Sequence, residues 1–266
     1  MNHNPDNEIH HWKELLAGDI PPWVMRFIKH TGRAINRHEM IRSGDSVLLS
    51  VSGGKDSLAL ALALSIRLKW LPIAYRMQAV MINWIEHPIE AAAREKLLAY
   101  FEALGIPLTI LDEPQYPDSF HGEFNCYLCS RNRRRILFTY AAEHDCSLVA
   151  MGHHLDDLVE TTLLNLTSRA KFSTMLPVQE FFGGKLHIIR PMIEIHEHTT
   201  RRLSELYQLP SVKPVCPHDQ TNIRSKLKPI VRDLVYLDRD AREHIYKAHA
   251  FSYKRPYESE ENTEND

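Results

Sequence analysis

The stretch SVLLSVSGGKDS, residues 46–57, decides the fold of this 266-residue chain. Residues 46–51 form a short, nearly continuous apolar run, the pattern of a strand buried on both faces. Gly53 and Gly54 follow, and an apolar helix is expected from about Ser57 to Leu68. Two glycines let the backbone approach an anion closely, and a helix N-terminus presents unpaired N–H groups at the positive end of its dipole. Ser52 and Ser57 add hydroxyls, and Lys55 adds a cation. The loop is not a Walker A sequence, because the positions that would need Gly and Ser or Thr hold Leu49 and Asp56. Two glycines alone are equally compatible with a tight strand-to-helix turn.

Outward from this loop the chain alternates. Strands are expected at 75–84, 107–111, 147–151 and 186–190, with helices at 89–104, 128–144 and 156–168. Such alternation implies an α/β fold: a parallel five-stranded sheet, residues 46–51 included, with right-handed crossovers and helices on both faces. Residues 1–45 read as an introductory helical segment, with Trp12, Leu15 and Leu16, then Trp23, Val24, Phe27 and Ile28, at helical spacing. The expected domains are 1–45, an α/β domain at 46–195 that carries the glycine loop, and a helical C-terminal region at 196–257. Pro210, Pro214, Pro217 and Pro229 are expected to break that last region.

Residues 258–266 carry five acidic side chains and are expected to be a disordered tail. Without them the net charge of -2 becomes +3, so the body is mildly basic. The apolar run 58–66 is too short for a membrane span of roughly 20 residues. The N-terminus shows no apolar signal core, so a cytoplasmic protein without membrane partners is expected. Four cysteines in a reducing compartment point to metal binding or catalysis before disulfides.

Cys126 and Cys129 form a C-x-x-C pair at the start of the helix after the third strand, where i and i+3 share a face. The helix N-terminus and Arg131, Arg133, Arg134 and Arg135 favour thiolates there. Cys216 lies in a Pro-rich turn that folding could bring back to the pair. Spacing alone leaves an iron–sulfur cluster, a zinc site with His218 as fourth ligand, and a redox dithiol open. Cys146 precedes an apolar strand and reads as a structural thiol. Asp156 and Asp157 enter a helix and could be no more than dipole-favoured acids. The four arginines could be a solvated face or a basic edge that engages RNA phosphates.

The string Ser52-Gly53-Gly54-Lys55-Asp56-Ser57 resembles the S-G-G-x-D-S signature of PP-loop ATPases, which grip the pyrophosphate end of ATP and release AMP. Together with the C-x-x-C-S-x-x-R-R run from Cys126, the string Gly152-His153-His154-Leu155-Asp156-Asp157 and the late Cys216-Pro217, it resembles the tRNA 2-thiocytidine biosynthesis proteins over about residues 30–235. The resemblance implies the adenine nucleotide alpha hydrolase-like, Rossmann-like fold and an ATP-dependent tRNA sulfurtransferase that forms 2-thiocytidine at position 32 of the anticodon loop. It implies a 4Fe-4S cluster on Cys126, Cys129 and Cys216, with one iron left free for the sulfur being transferred. It also places Met81, Asn83, Gly152 and His153 near the nucleotide, and Asp156 or Asp157 on Mg²⁺. Lys55, Asp56, Asp156 and the three cysteines are the expected catalytic residues.

Many family members carry a second C-x-x-C-like pair late in the chain, whereas here Cys216 is followed by Pro217, His218 and Asp219. Expected partners are tRNA and a cysteine desulfurase-type sulfur donor, with a homodimer as one alternative for assembly. Rival readings are a PP-loop ligase with an amine nucleophile and structural zinc, and a non-enzymatic metal-containing RNA-binding module.

Overall fold

The computed structural model describes residues 10–116, 120, 126–212 and 223–252, without the side chains of 223–225 and 250–252. Two compact units divide them: one holds the described residues of 1–154 and 176–217, the other those of 155–175 and 218–266. The divisions expected from sequence follow the chain continuously, whereas these units exchange segments. The expected tail, 258–266, lies outside the described residues.

In the first unit, β1 (Ser46–Val51), β2 (Arg76–Trp84), β3 (Leu108–Glu113), β4 (Leu148–Met151), β5 (Val178–Phe181) and β6 (Leu186–Ile189) form one sheet in the order β3-β2-β1-β4-β6-β5. All neighbouring pairs are parallel except β5 with β6. The α/β class is as expected, but among the described residues the sheet has six strands rather than five. Val178–Phe181 escapes a pattern reading because it has four residues, with Gln179 and Glu180 at its centre. It closes a hairpin onto β6 through Phe182, Gly183 and Gly184, all at positive φ. A half-exposed edge strand has no continuous apolar run to betray it.

β1 shows why its own sequence is so apolar. Val47, Leu49 and Val51 join one buried cluster, which includes Phe27 and Ile28 of α2 (Pro22–Arg37) and Leu58 and Leu62 of α3 (Lys55–Leu68). Leu97, Tyr100 and Phe101 of α4 (Ala91–Ala103) belong to the same cluster, as do Trp12 and Leu15 of α1 (Trp12–Ala17). Leu48 faces the other way, with Val80, Val149 and Ile188, against Leu137, Tyr140 and Ala141 of α5 (Cys126–Glu143). Helices therefore cover both faces. α3 is buried without a break from Ser57 to Ile66, which is why its apolar residues run all round rather than along one stripe.

Chain order fixes the position of the crevice. From β1 the chain steps outward through α3, β2 and α4 to β3, then returns through α5 to β4 on the far side of β1. Strand order reverses between β1 and β4, and in such sheets ligands bind outside the carboxyl ends of the strands at the reversal. The residues that follow β1 and β4 are Ser52-Gly53-Gly54 and Gly152-His153-His154.

The second unit is helical: α6 (Leu155–Arg169), α8 (Ile223–Leu237) and α9 (Ala241–Ser252) pack on one another. Thr162 Oγ1 lies 2.8 Å from His249 Nε2, and the His249 ring stacks on Phe172 at 4.2 Å. Pro229 lies inside α8 and does not break it, contrary to expectation. The ring removes one backbone hydrogen bond, but Leu227 and Val231 on either side are buried and hold the helix. α7 (Glu197–Leu206) belongs to the first unit.

Candidate active site

The loop between β1 and α3 is shaped by glycine. Gly53 has φ +79°, and a Cβ there would lie 3.2 Å from Met81 Cε and 3.4 Å from the Val212 carbonyl oxygen. Met81, the last β2 residue paired with β1, thus lies directly against the loop. The Val212 N–H donates to the Gly53 carbonyl at 2.8 Å and fixes the loop from its other side. Gly54 occupies the N-cap of α3, and no side chain caps that helix. Ser57 Oγ donates to the Gly54 carbonyl at 2.8 Å, and the Gly54 N–H donates to Ser52 Oγ at 3.3 Å. Gly152, just past β4, packs on the same turn: a Cβ there would sit 3.0 Å from both Asp56 C and Ser57 N. The structure therefore brings Ser52–Ser57, Met81 and Gly152 together, with helix N–H groups available to an anion.

Charge at the loop is organised by α7. Lys55 Nζ lies 2.8 Å from Asp56 Oδ2 and 3.1 Å from Glu197 Oε1. The other Asp56 oxygen accepts the Thr200 hydroxyl, and His154 Nε2 lies 3.9 Å from it. Arg201 pairs with the second Glu197 oxygen at 3.1 Å. Burial by itself pulls the Lys55 pKa down, but the Asp56 and Glu197 carboxylates outweigh it, and the net shift is upward. Sequence reasoning missed Glu197 and Thr200. They lie more than 140 positions from the loop, in a helix whose sequence carries no motif.

Asn83 is buried and committed locally. Its Nδ2 donates to Asp112 Oδ1 at 2.6 Å, and its Oδ1 accepts the Ile89 N–H at 2.9 Å. That Asn83 bond, helped by Arg94, holds the Asp112 carboxyl below its ordinary pKa. Asn83 thus shapes the end of β2. Asp156 and Asp157 open α6 in the second unit, where Asp156 is ion-paired with Arg242.

Cys126 and Cys129 are free thiols in the first turn of α5, Cys126 exposed and Cys129 half-buried. Gln115 Nε2 donates to Cys129 Sγ at 3.2 Å. Two soft donors on one helical turn, one of them already receiving an N–H, fit a sulfur-ligated group. Cys216 lies outside the described residues, and among the described residues no three His, Cys, Asp or Glu side chains are grouped to hold a metal ion. Cys146 is buried and accepts from Gln78 Nε2 at 2.9 Å, a structural thiol. The four arginines divide. Arg133 is half-buried and lies over the Trp84 ring at 5.4 Å, whereas Arg131, Arg134 and Arg135 are exposed, Arg135 also holding Asn132 Oδ1.

Residues 27–236 match the PP-loop domain family model. The tRNA-cytidine(32) 2-sulfurtransferase of Hahella chejuensis is 32% identical over 210 residues, 77% of this chain and 73% of its own. The enzyme of that name from Burkholderia orbicola is 32% identical over 216 residues, 78% of this chain but only 63% of its own length. Among solved structures, the U34-tRNA thiolase NcsA from Methanococcus maripaludis with its [4Fe-4S] cluster is 24% identical and shares the fold with a TM-score of 0.68, covering 85% of this chain and 78% of that one. The chain belongs to the PP-loop family, in the group that contains the tRNA-cytidine(32) 2-sulfurtransferases.

Proposed function

We propose that the chain is an ATP-dependent tRNA sulfurtransferase that converts cytidine 32 of the anticodon loop to 2-thiocytidine. The observation that carries this reading is the uncapped α3 N-terminus at the strand-order reversal, with Gly53 at positive φ before it and Gly152 packed on its first turn at Asp56 and Ser57. The β- and γ-phosphates of ATP sit on the N–H groups and hydroxyls of Ser52–Ser57. Lys55 turns from Glu197 to the phosphate, and Asp56, held by Thr200, keeps the first turn of α3 in register. Asp156 and Asp157, which follow Gly152-His153-His154 in the chain, are the proposed Mg²⁺ ligands.

Adenylation of O2 of the cytosine converts a poor leaving group into AMP, and a sulfur nucleophile then attacks C2 and expels it. A 4Fe-4S cluster on Cys126, Cys129 and Cys216 supplies, when bound, an iron with an open position for that sulfur. Arg131 and Arg134, exposed on α5 beside the cysteine pair, contact tRNA phosphates, and the target base is unstacked for access. The sulfur reaches the site from a cysteine desulfurase-type donor.

The test is anaerobic purification with absorbance and EPR, then incubation with ATP, tRNA and a sulfur source and nucleoside analysis of the product. Wild type yields 2-thiocytidine, AMP and diphosphate; Cys126→Ala yields no thionucleoside, and Cys146→Ser does. Thionucleoside from Cys126→Ala removes the cysteine role. AMP formed with an amine joined to the base in place of sulfur selects the ligase reading.

A further inference from the structure

We infer that Gln115 is a positioning residue of the sulfur site, whose side-chain N–H donates to the Cys129 thiolate and raises the electron affinity of an iron–sulfur group held there. The inference rests on the iron–sulfur reading of the cysteine pair proposed above.

Glutamine is ordinarily a surface residue, yet Gln115 is 4% exposed. Its backbone is held from two sides. Both Glu86 carboxylate oxygens accept its backbone N–H, at 2.9 and 3.0 Å. Its carbonyl accepts Asn132 Nδ2 at 3.0 Å, and the Pro114 carbonyl accepts the same nitrogen at 3.2 Å. Asn132 stands one turn beyond Cys129 on α5, and its Oδ1 is occupied by Arg135 Nε and Nη2 at 3.1 and 3.0 Å. That contact leaves the Asn132 amide facing the loop. The strand end after β3 and the cysteine-bearing turn are thereby joined as one piece.

The 3.2 Å contact from Gln115 Nε2 to Cys129 Sγ is thus preset by the protein. An N–H directed at a thiolate ligand draws negative charge off the sulfur and favours the state that carries one more electron. Nothing in the nucleotide loop calls for this arrangement, which serves the cysteine alone.

The experiment compares anaerobically reconstituted wild type with Gln115→Leu, which keeps the bulk and both backbone anchors but has no donor. The expected result is a bound cluster in both, with the variant's reduction potential lower by about tenfold in the one-electron equilibrium constant, 59 mV. A second measurement needs no variant: with glutamine labelled by ¹⁵N at the side-chain amide, the reduced wild-type cluster shows a ¹⁵N hyperfine coupling by electron–nuclear double resonance. A cluster with unchanged potential in Gln115→Leu overturns the inference and leaves the iron–sulfur reading standing. A reduced wild-type cluster without ¹⁵N coupling overturns it in the same way. Wild type that takes up no iron–sulfur cluster overturns both.

Discussion

Lys55 illustrates how a few ångströms decide a residue's role. It bridges Asp56 and Glu197, and these carboxylates raise its pKa. A raised lysine pKa contributes stability that is fully present below the ordinary value of about 10.4 and is lost as pH rises through the folded-state value. The stability difference between wild type and Lys55→Met is therefore expected to be constant from neutral pH to about pH 9.5 and to shrink above it, read by denaturant midpoints across that range. The same substitution should slow formation of AMP and diphosphate about 10²–10³-fold, the usual cost of one lost electrostatic contact to a reacting phosphate. Gly152→Ala places a methyl 3.0 Å from the backbone of Asp56 and Ser57, where neither neighbour can rotate away. It should cost about 1–3 kcal/mol in unfolding free energy and raise the KM for ATP, measured by urea titration and initial rates. The glycines and Lys55 could be read from the sequence because the loop is contiguous. Glu197 and Thr200 could not, since nothing in a local string says that the first turn of α7 lies against that loop.

At the scale of elements, α7 and α8 carry the consequences. Thr200→Val keeps the shape of α7 but removes the hydroxyl that Asp56 accepts. About 1–3 kcal/mol of stability should be lost because a charged acceptor is left short of a partner. AMP formation should fall by more than the folding loss explains at saturating ATP, as paired rate and melting measurements would show. In α8, Pro229→Ala restores the backbone donor that the ring removes, and Leu227 and Val231 stay buried. An increase of about 1–3 kcal/mol in stability is expected, seen as a higher melting temperature; a decrease would mean that the ring itself is packed. The sheet followed the apolar pattern for five of its six strands. The sixth, Val178–Phe181, exists through its pairing with β6 and not through its composition.

For the molecule as a whole, charge is the property that composition reports directly. Removing residues 258–266 changes the net charge from -2 to +3. The shortened chain should bind tRNA more tightly at low salt, and the gain should fade as salt rises, measured by filter binding over a salt series. By itself the sequence determined the α/β class, the glycine loop after β1 and the cysteine pair, because each depends on residues close together in the chain. Periodicity, glycine freedom and helix-turn spacing are local physics. Only the tertiary structure decided that Gly152 closes on the first turn of α3, that α7 supplies Glu197 and Thr200 to Lys55 and Asp56, and that Gln115 reaches Cys129. The first two join distant segments because strand order reverses at β1 and β4 and gathers their loops at one end of the sheet, and the third because the chain leaving β3 is held against the first turns of α5.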